Sequence, residues 1–320
     1  VGVSAGDGKV LWKADRRGKV AVVPTPVYAD NQVFVTSGYG IGCNSFKITK
    51  AADGFKAEQI FSSSIQSVTQ SIWPVVYLLS DHGEHDMDDT KPTGYANLVR
   101  TMRRDNMEVK PLLLSQYRGI PTDAKALVIA GPARKLSDVE VDMVGKYLER
   151  NGRVLLLVDP GTTTGLDGLL QGWGVRLGAG AAVGLTFTGR ELIVGQYGEH
   201  PVTRSLGKVG TMFFMPRVVE PVARTVPLID LGSDRPVVSV LASNTVEGWE
   251  EMDLNQNPPR FDPDKDRPGP VSIALAVEKG KVGGIDVEIK PTRLVVIGDS
   301  YFVSNDALAR GMGGNVDFFL

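Results

Sequence analysis

The chain has 320 residues, 42% of them hydrophobic, enough to bury a sizeable core and to hold two or three domains. With 35 basic against 37 acidic side chains the formal net charge is −2, so nothing in the charge points to nucleic acid or an anionic membrane surface as partner. One cysteine, Cys43, excludes an internal disulfide framework and a thiolate metal cluster, and leaves the redox compartment open.

No run of 18 or more apolar residues occurs, so neither a membrane span nor a signal peptide is expected within these residues. The sequence starts at Val1 inside what reads as a repeat motif and stops in the apolar run Val316-Asp317-Phe318-Phe319-Leu320. The expectation is a fragment, with targeting or anchoring segments flanking it.

Residues 1–62 are patterned for β-structure. Asp7-Gly8-Lys9-Val10-Leu11-Trp12 reads as a tight turn feeding a strand, and Val20 to Tyr28 and Gln32 to Thr36 read as strands joined by Ala29-Asp30-Asn31. The Gly8-Lys9 to Trp12 element and the later Asp30-Asn31-Gln32-Val33-Phe34-Val35 element resemble one blade of a pyrroloquinoline-quinone-type β-propeller. The resemblance implies that Trp12 packs between blades. It covers about one to one and a half blades, where a closed ring needs about four to eight. No cofactor is expected, since many such propellers are scaffolds. The segment reads as the tail of a longer propeller or as a fusion made in assembling the sequence. The Ser/Gln/Thr-rich stretch from Ser62 to Ser71 has no clear apolar period and reads as a linker over 63–72.

From residue 73 the pattern becomes α/β. Val75-Val76-Tyr77-Leu78-Leu79 is a continuous apolar run, as a parallel strand covered on both faces requires. A polar loop (80–92) leads to a helix expected over 93–106, with Tyr95, Leu98, Val99 and Met102 at helical spacing. Strands are expected over 109–114, 126–130 and 154–158. Between the last two, Ser137-Asp138-Val139-Glu140 is a capping box opening a helix to Arg150, and Asn151-Gly152 is its left-handed stop. Strands alternating with helices predict an open parallel sheet with right-handed crossovers, whose ligand edge is the carboxyl edge.

These residues carry a second resemblance. Val76-Tyr77-Leu78-Leu79-Ser80-Asp81-His82-Gly83-Glu84, Ile120-Pro121-Thr122-Asp123-Ala124, Leu127-Val128-Ile129-Ala130-Gly131-Pro132, Tyr147 to Leu155, and Val296-Ile297-Gly298-Asp299-Ser300 follow in order. Over 73–320 the chain resembles the GldG family of ABC-transporter auxiliary proteins, which share a flavodoxin- or amidotransferase-like domain with intraflagellar-transport proteins. That family usually writes Gly-His-Gly-Glu where this chain has Asp81-His82-Gly83-Glu84, and Gly-Gly at 151–152. The resemblance implies a non-enzymatic, extracytoplasmic (periplasmic) subunit, tethered to the membrane by flanking helices. Its partners would be the permease and ATPase of an ABC-type transport or gliding-motility system, which are separate chains.

Asp81-His82-Gly83-Glu84-His85-Asp86 is the densest chemical cluster, able in principle to ligate a divalent metal or to supply an acid and a base. The only other histidine is His200, so no complete ligand set is visible and no metal is assigned. No Gly-x-Ser-x-Gly or Gly-x-Cys-x-Gly elbow occurs, and nothing marks Ser80 and His82 as an activated pair. Asp262 to Pro270 imitates the start of a calcium loop, but Arg267 and Ile273 stand where glycine and a carboxylate belong. Gly161-Thr162-Thr163-Thr164-Gly165 could offer amides to an anion yet lacks the P-loop lysine and spacing. If a ligand binds, the cleft expected to hold it is lined by Asp81, His82, Glu84, Asp159, Thr162, Asp299 and Ser300 at the carboxyl edge.

Residues 175–250 read as a β-rich insertion with strands near 185–187, 192–197, 213–219 and 237–241, in which Trp173, Phe213, Phe214 and Trp249 pack the interior. Strands over 271–278 and 293–297 return to the core, and 306–310 and 315–320 read as helical turns. The expected function is docking to protein or ligand without catalysis. The alternatives are a hydrolase or metal-dependent enzyme using the 81–86 loop, and a propeller scaffold fused to a sensor domain.

Overall fold

The computed structural model describes residues 1–14, 25–29, 31–37, 42–51, 54–60, 73–184, 186, 189–204, 206–207, 209–222, 235–280, 292–310 and 314–320. They form two compact units, Val1–Trp73 with Arg104–Asn106, and Pro74–Arg103 with Met107–Leu320.

In the first unit β1 (Gly2–Val3) pairs antiparallel with β2 (Val10–Trp12). Strands β3 (Val27–Ala29), β4 (Gln32–Ser37), β5 (Gly42–Ala51) and β6 (Gly54–Ile60) form an antiparallel sheet in chain order. Asn31 adopts a left-handed φ of 59° between β3 and β4, a conformation asparagine tolerates. Of the strand expected over 20–28, residues 25–28 are described, and β3 runs one residue further, into Ala29 of the expected turn; the expected linker lies outside the described residues.

The second unit runs β7 (Val75–Leu79), α1 (Ala96–Arg104), β8 (Glu108–Leu112), β9 (Ala124–Ala130), α2 (Asp138–Glu149), β10 (Arg153–Leu157), α3 (Asp167–Gly172) and β11 (Val175–Val183). It continues with β12 (Glu191–Val194), β13 (Thr211–Phe214), β14 (Arg217–Pro221), β15 (Val237–Ser243), β16 (Trp249–Glu251) and β17 (Arg267–Pro268). Last come β18 (Ser272–Lys279), β19 (Thr292–Ile297), α4 (Asn305–Ala309) and α5 (Gly314–Phe319). The main sheet has seven strands in the order β15-β18-β19-β10-β9-β7-β8. Neighbours from β19 to β8 are parallel, whereas β18 and β15 join antiparallel at one side.

Why β7 reads as an unbroken apolar run is plain from its two faces. Val76 and Leu78 pack in one cluster with Leu98, Val99 and Met102 of α1, while Val75, Tyr77 and Leu79 pack in another with Val144, Tyr147 and Leu148 of α2. Strand side chains alternate by face, so a strand with a helix on each side must be apolar at every position. The box on α2 forms as the sequence predicts: Ser137 accepts from the Glu140 amide at 3.4 Å and the Glu140 carboxylate accepts from the Ser137 amide at 2.8 Å. Asn151, with φ of 62°, ends the helix, and the Gly152 amide donates to the Tyr147 carbonyl at 2.9 Å.

The sheet is therefore mixed rather than wholly parallel, and several boundaries move. Helix α1 begins at Ala96, not residue 93, and the Tyr95 amide just before it donates to the Asp86 carbonyl at 3.0 Å. Strand β8 stops at Leu112, followed by a 3-10 turn over Leu114–Gln116. The strand expected over 213–219 is broken into β13 and β14 at Met215-Pro216, where Met215 has a φ of 43° and proline has no amide to give a ladder. Strand β15, expected within the insertion, lies in the main sheet; β14, β11, β16 and β17 make a separate four-stranded sheet, and β12 with β13 a hairpin. Alternation shows that a segment is a strand but not which sheet it joins. Of the strand near 185–187, residues 185 and 187 lie outside the described residues. Among the described residues, no helix is long and apolar enough to cross a membrane.

Candidate functional site at the carboxyl edge of the main sheet

The loop after β7 turns sharply through Asp81 (φ 99°) and Gly83 (φ 83°). Its backbone is stitched to the loop after β9: the His82 carbonyl accepts from the Ala133 and Arg134 amides, each at 2.9 Å, and the Arg134 guanidinium donates to the Asp81 carbonyl. The imidazole of His82 turns towards α2. Its Nε2 lies 3.2 Å from Glu140 Oε2 and its Nδ1 lies 3.4 Å from Glu84 Oε1. The latter two atoms are buried and form no well-aligned hydrogen bond. Glu84 Oε2 accepts from the His82 amide at 2.7 Å. Burial pushes the Glu140 carboxyl up, but the Ser137 hydroxyl and amide and His82 outweigh it and hold the group below its ordinary value.

His85, three residues on, faces the opposite way. Its Nδ1 sits 2.6 Å from the Thr93 carbonyl and its Nε2 2.7 Å from Ser300 Oγ. The ring stacks on Tyr95 at 4.6 Å between centroids and 7° between planes, and the Tyr95 hydroxyl donates to the Ser300 carbonyl. Burial first, then the Asp159 and Asp299 carboxylates, push the Tyr95 phenol well above its ordinary value.

Ser300 follows β19 and Asp159 follows β10, so parallel pairing of the two strands brings these residues together. Asp159 accepts the Ser300 amide on Oδ1 at 2.8 Å and the Ser300 hydroxyl on Oδ2 at 2.6 Å. Gly131, after β9, makes room: a Cβ there would come within 2.5 Å of Ser300 Oγ, and its φ is 67°. Asp299, 1% exposed, turns its carboxylate the other way, accepting from the amides of Phe214 (2.7 Å), Tyr301 (2.6 Å) and Phe302 (3.1 Å). Burial and the neighbouring Asp159 charge push its carboxyl up to about 8, against the three amides that favour ionisation. Thr162 bonds back to the Asp159 carbonyl at 2.8 Å, and its own carbonyl accepts from Arg217 at 2.8 Å. The Arg217 guanidinium also holds the Gly178 carbonyl at 2.8 Å, while the Arg217 amide holds the Gly298 carbonyl at 2.5 Å.

Asp159 and Ser300 thus meet, with Thr162 beside Asp159, while the adjacent Asp299 turns its carboxylate to backbone amides. His82 and Glu84 serve α2 instead, and Asp81 sits exposed at the turn. The sequence reading missed His85, Tyr95 and Arg217 as partners. His85 was legible as a member of the acidic loop, whereas no local pattern marks Arg217. The serine stands between the carboxylate and the imidazole. A hydrolytic triad needs the carboxylate on the far ring nitrogen, and here a backbone carbonyl occupies that place. Among the described residues, no group of three or more His, Cys, Asp or Glu side chains is arranged to hold a metal ion.

The other candidate loops use their polar groups on themselves. Asp266 accepts from the Met252 and Asp262 amides at 3.0 and 2.7 Å, and Asp262 accepts from the Asp264 amide at 3.0 Å. Thr164 Oγ1 accepts from the Leu166 amide at 3.2 Å. Phe213 packs against Phe302 and Phe318, and Phe214 edge-on to Tyr301.

A family model described as "ABC-type uncharacterized transport system" matches residues 73–320. No curated protein matches the chain. Among solved structures, the mmIFT52 N-terminal domain superposes with a TM-score of 0.52 at 17% identity, over 75% of this chain and 93% of that one. A thuA-like protein from Bacteroides uniformis gives 0.42 at 13% identity, over 77% and 87% of the two chains. Alpha-L-fucosidase isoenzyme 2 from Paenibacillus thiaminolyticus gives 0.39 at 14%, over 80% and 33%. The first of these shows a shared fold and no more. No comparison supports the propeller-blade resemblance of residues 1–62.

Proposed function

Since residues 73–320 place this chain in the ABC-type uncharacterized transport system family, we propose that it is a non-catalytic auxiliary subunit that docks to the permease and ATPase of an ABC-type transporter. The observation that carries this reading is the state of the carboxyl edge. There the polar side chains that a catalyst would aim at substrate are spent on joining one loop to the next: Asp159 on Ser300, Asp299 on three amides, Arg217 on two carbonyls. The parallel strands follow the order second, first, third, fourth, fifth in the chain, which supports a flavodoxin-like core. In such cores ligands sit beyond the carboxyl ends at the point where strand order reverses, between β7 and β9. Here the His82 carbonyl and the Ala133 and Arg134 amides bridge that gap directly.

In this proposal the subunit works outside the cytoplasm, in the periplasm, tethered to the membrane by segments beyond this sequence, in transport or gliding motility. The test is co-purification of the full-length protein with the permease and ATPase of an ABC-type transporter from the same organism. Wild type and the His82→Ala/Glu84→Ala variant should both be retained by the complex. Metal-dependent turnover that this variant abolishes would establish the hydrolase alternative instead.

A further inference from the structure

We infer that Asn151-Gly152 is a chemical modification site, at which the asparagine loses its side-chain amide only while the junction of α2 with β10 is open. Asparagine is a thermolabile residue, and its usual reaction is with its own backbone. The Gly152 nitrogen gives up its hydrogen to solvent base and attacks Asn151 Cγ. A C–N bond forms, the bond to the side-chain nitrogen breaks, and ammonia leaves. Water then opens the cyclic imide, giving aspartate at one carbonyl and isoaspartate at the other. Glycine after the asparagine obstructs the attack least, and the sequence has this one Asn-Gly pair.

The fold demands that pair and also shields it. Asn151 stands in the left-handed region where α2 must leave its own path, a conformation asparagine tolerates. A Cβ on residue 152 would lie 2.4 Å from the Tyr147 carbonyl oxygen and 2.5 Å from Tyr147 Cδ1, so only glycine fits. The contact that excludes a larger residue also holds the attacking nitrogen, because the Gly152 amide donates to that same Tyr147 carbonyl at 2.9 Å. The Gly152 carbonyl accepts from the Arg293 amide at 3.3 Å, and the Asn151 amide donates to the Leu148 carbonyl at 3.1 Å. Thr292 Oγ1 donates to the Leu148 carbonyl as well, at 2.9 Å. Attack needs the Gly152 hydrogen released and the peptide between the two residues turned towards the side chain. Neither happens while these bonds stand, although Asn151 itself is exposed.

The two products differ in consequence. Aspartate keeps the length of the main chain and can retake the left-handed stop. Isoaspartate adds one methylene to the main chain between α2 and β10, the strand that pairs with both β9 and β19. It cannot restore the bonds to Tyr147 and Arg293 together. This inference goes beyond docking, because every excursion to the open state exposes the chain to a one-way change, and the open fraction then sets its chemical lifetime.

The experiment compares the protein folded and in guanidinium chloride at one mildly alkaline pH. Peptide mapping by mass spectrometry separates Asn151 from aspartate and isoaspartate, and hydrogen exchange of the Gly152 amide is followed in parallel. Conversion should be slower in the folded protein by about tenfold or more. Thr292→Val takes one bond from the junction and should raise Gly152 exchange and folded-state conversion together. Wild type held unfolded should lose refolding yield in step with its isoaspartate content. Asn151→Gly keeps a left-handed stop without a side-chain amide and should refold fully after the same treatment. Equal conversion in the two states overturns the inference, as does conversion in the folded protein while the Gly152 amide stays protected. So does complete refolding of the isoaspartate form.

Discussion

Asp299 sets a pH dependence that the molecule should show. Its carboxyl is pushed up to about 8 by burial and by Asp159, so between the ordinary carboxylate range and that value the folded state holds a proton that the unfolded chain releases. The stability it confers is complete at about pH 4 and declines as pH rises towards about 8. Urea unfolding across that window should show the decline, and Asp299→Asn should flatten it. The asparagine amide must also point a hydrogen at one of the backbone donors Phe214, Tyr301 or Phe302. The variant should therefore be less stable than wild type at low pH by about 1–3 kcal/mol. Arg217 makes a second residue-scale prediction. Replacing it by methionine leaves the buried Gly178 carbonyl and the half-buried Thr162 carbonyl without their donor, and thermal unfolding should register a loss of about 1–3 kcal/mol.

At the scale of elements, the N-terminus of α2 does two jobs with one carboxylate. Glu140 Oε2 takes the Ser137 amide and hydroxyl and also faces His82 Nε2 at 3.2 Å. Ser137→Ala removes the cap hydroxyl alone and should cost about 1 kcal/mol in unfolding free energy. Glu140→Ala removes the cap's return bond and also leaves a buried imidazole without that partner, so its cost should exceed that of Ser137→Ala. If the two variants unfold alike, the His82–Glu140 contact contributes nothing. The glycines that end strands mark where elements meet most closely. A Cβ on Gly298 would lie 1.9 Å from the Arg217 carbonyl, so β14 can cross the end of β19 only over a glycine.

At the scale of the molecule, residues 73–320 carry both the family match and the two-faced core, whereas the first sheet is a separate compact unit. A chain of residues 73–320 expressed alone should unfold cooperatively with a midpoint within a few degrees of the corresponding transition in the full chain, as calorimetry would show. A collapsed or aggregated product would mean that the division into independent domains is wrong. The exposed valines of β15, Val237 at 61% and Val240 at 38%, stand on the outermost strand of the main sheet.

The sequence by itself determined the elements whose cause is local. The apolar run of β7, the capping box of α2 and the left-handed Asn151 each follow from two to five adjacent residues, and each appears where those residues stand. It also placed Asp159, Asp299 and Ser300 at strand ends, because hydrophobic runs stop there. Only the tertiary structure decided what those ends touch. That β15 and β18 enter the main sheet antiparallel, that His82 turns to α2 while His85 reaches Ser300, and that Arg217 spans two loops are matters of pairing between segments up to about 215 residues apart. Periodicity records which face of an element is buried and is silent about the partner. Side-chain donors and acceptors are likewise assigned only when the chain has brought them within about 3 Å of one another.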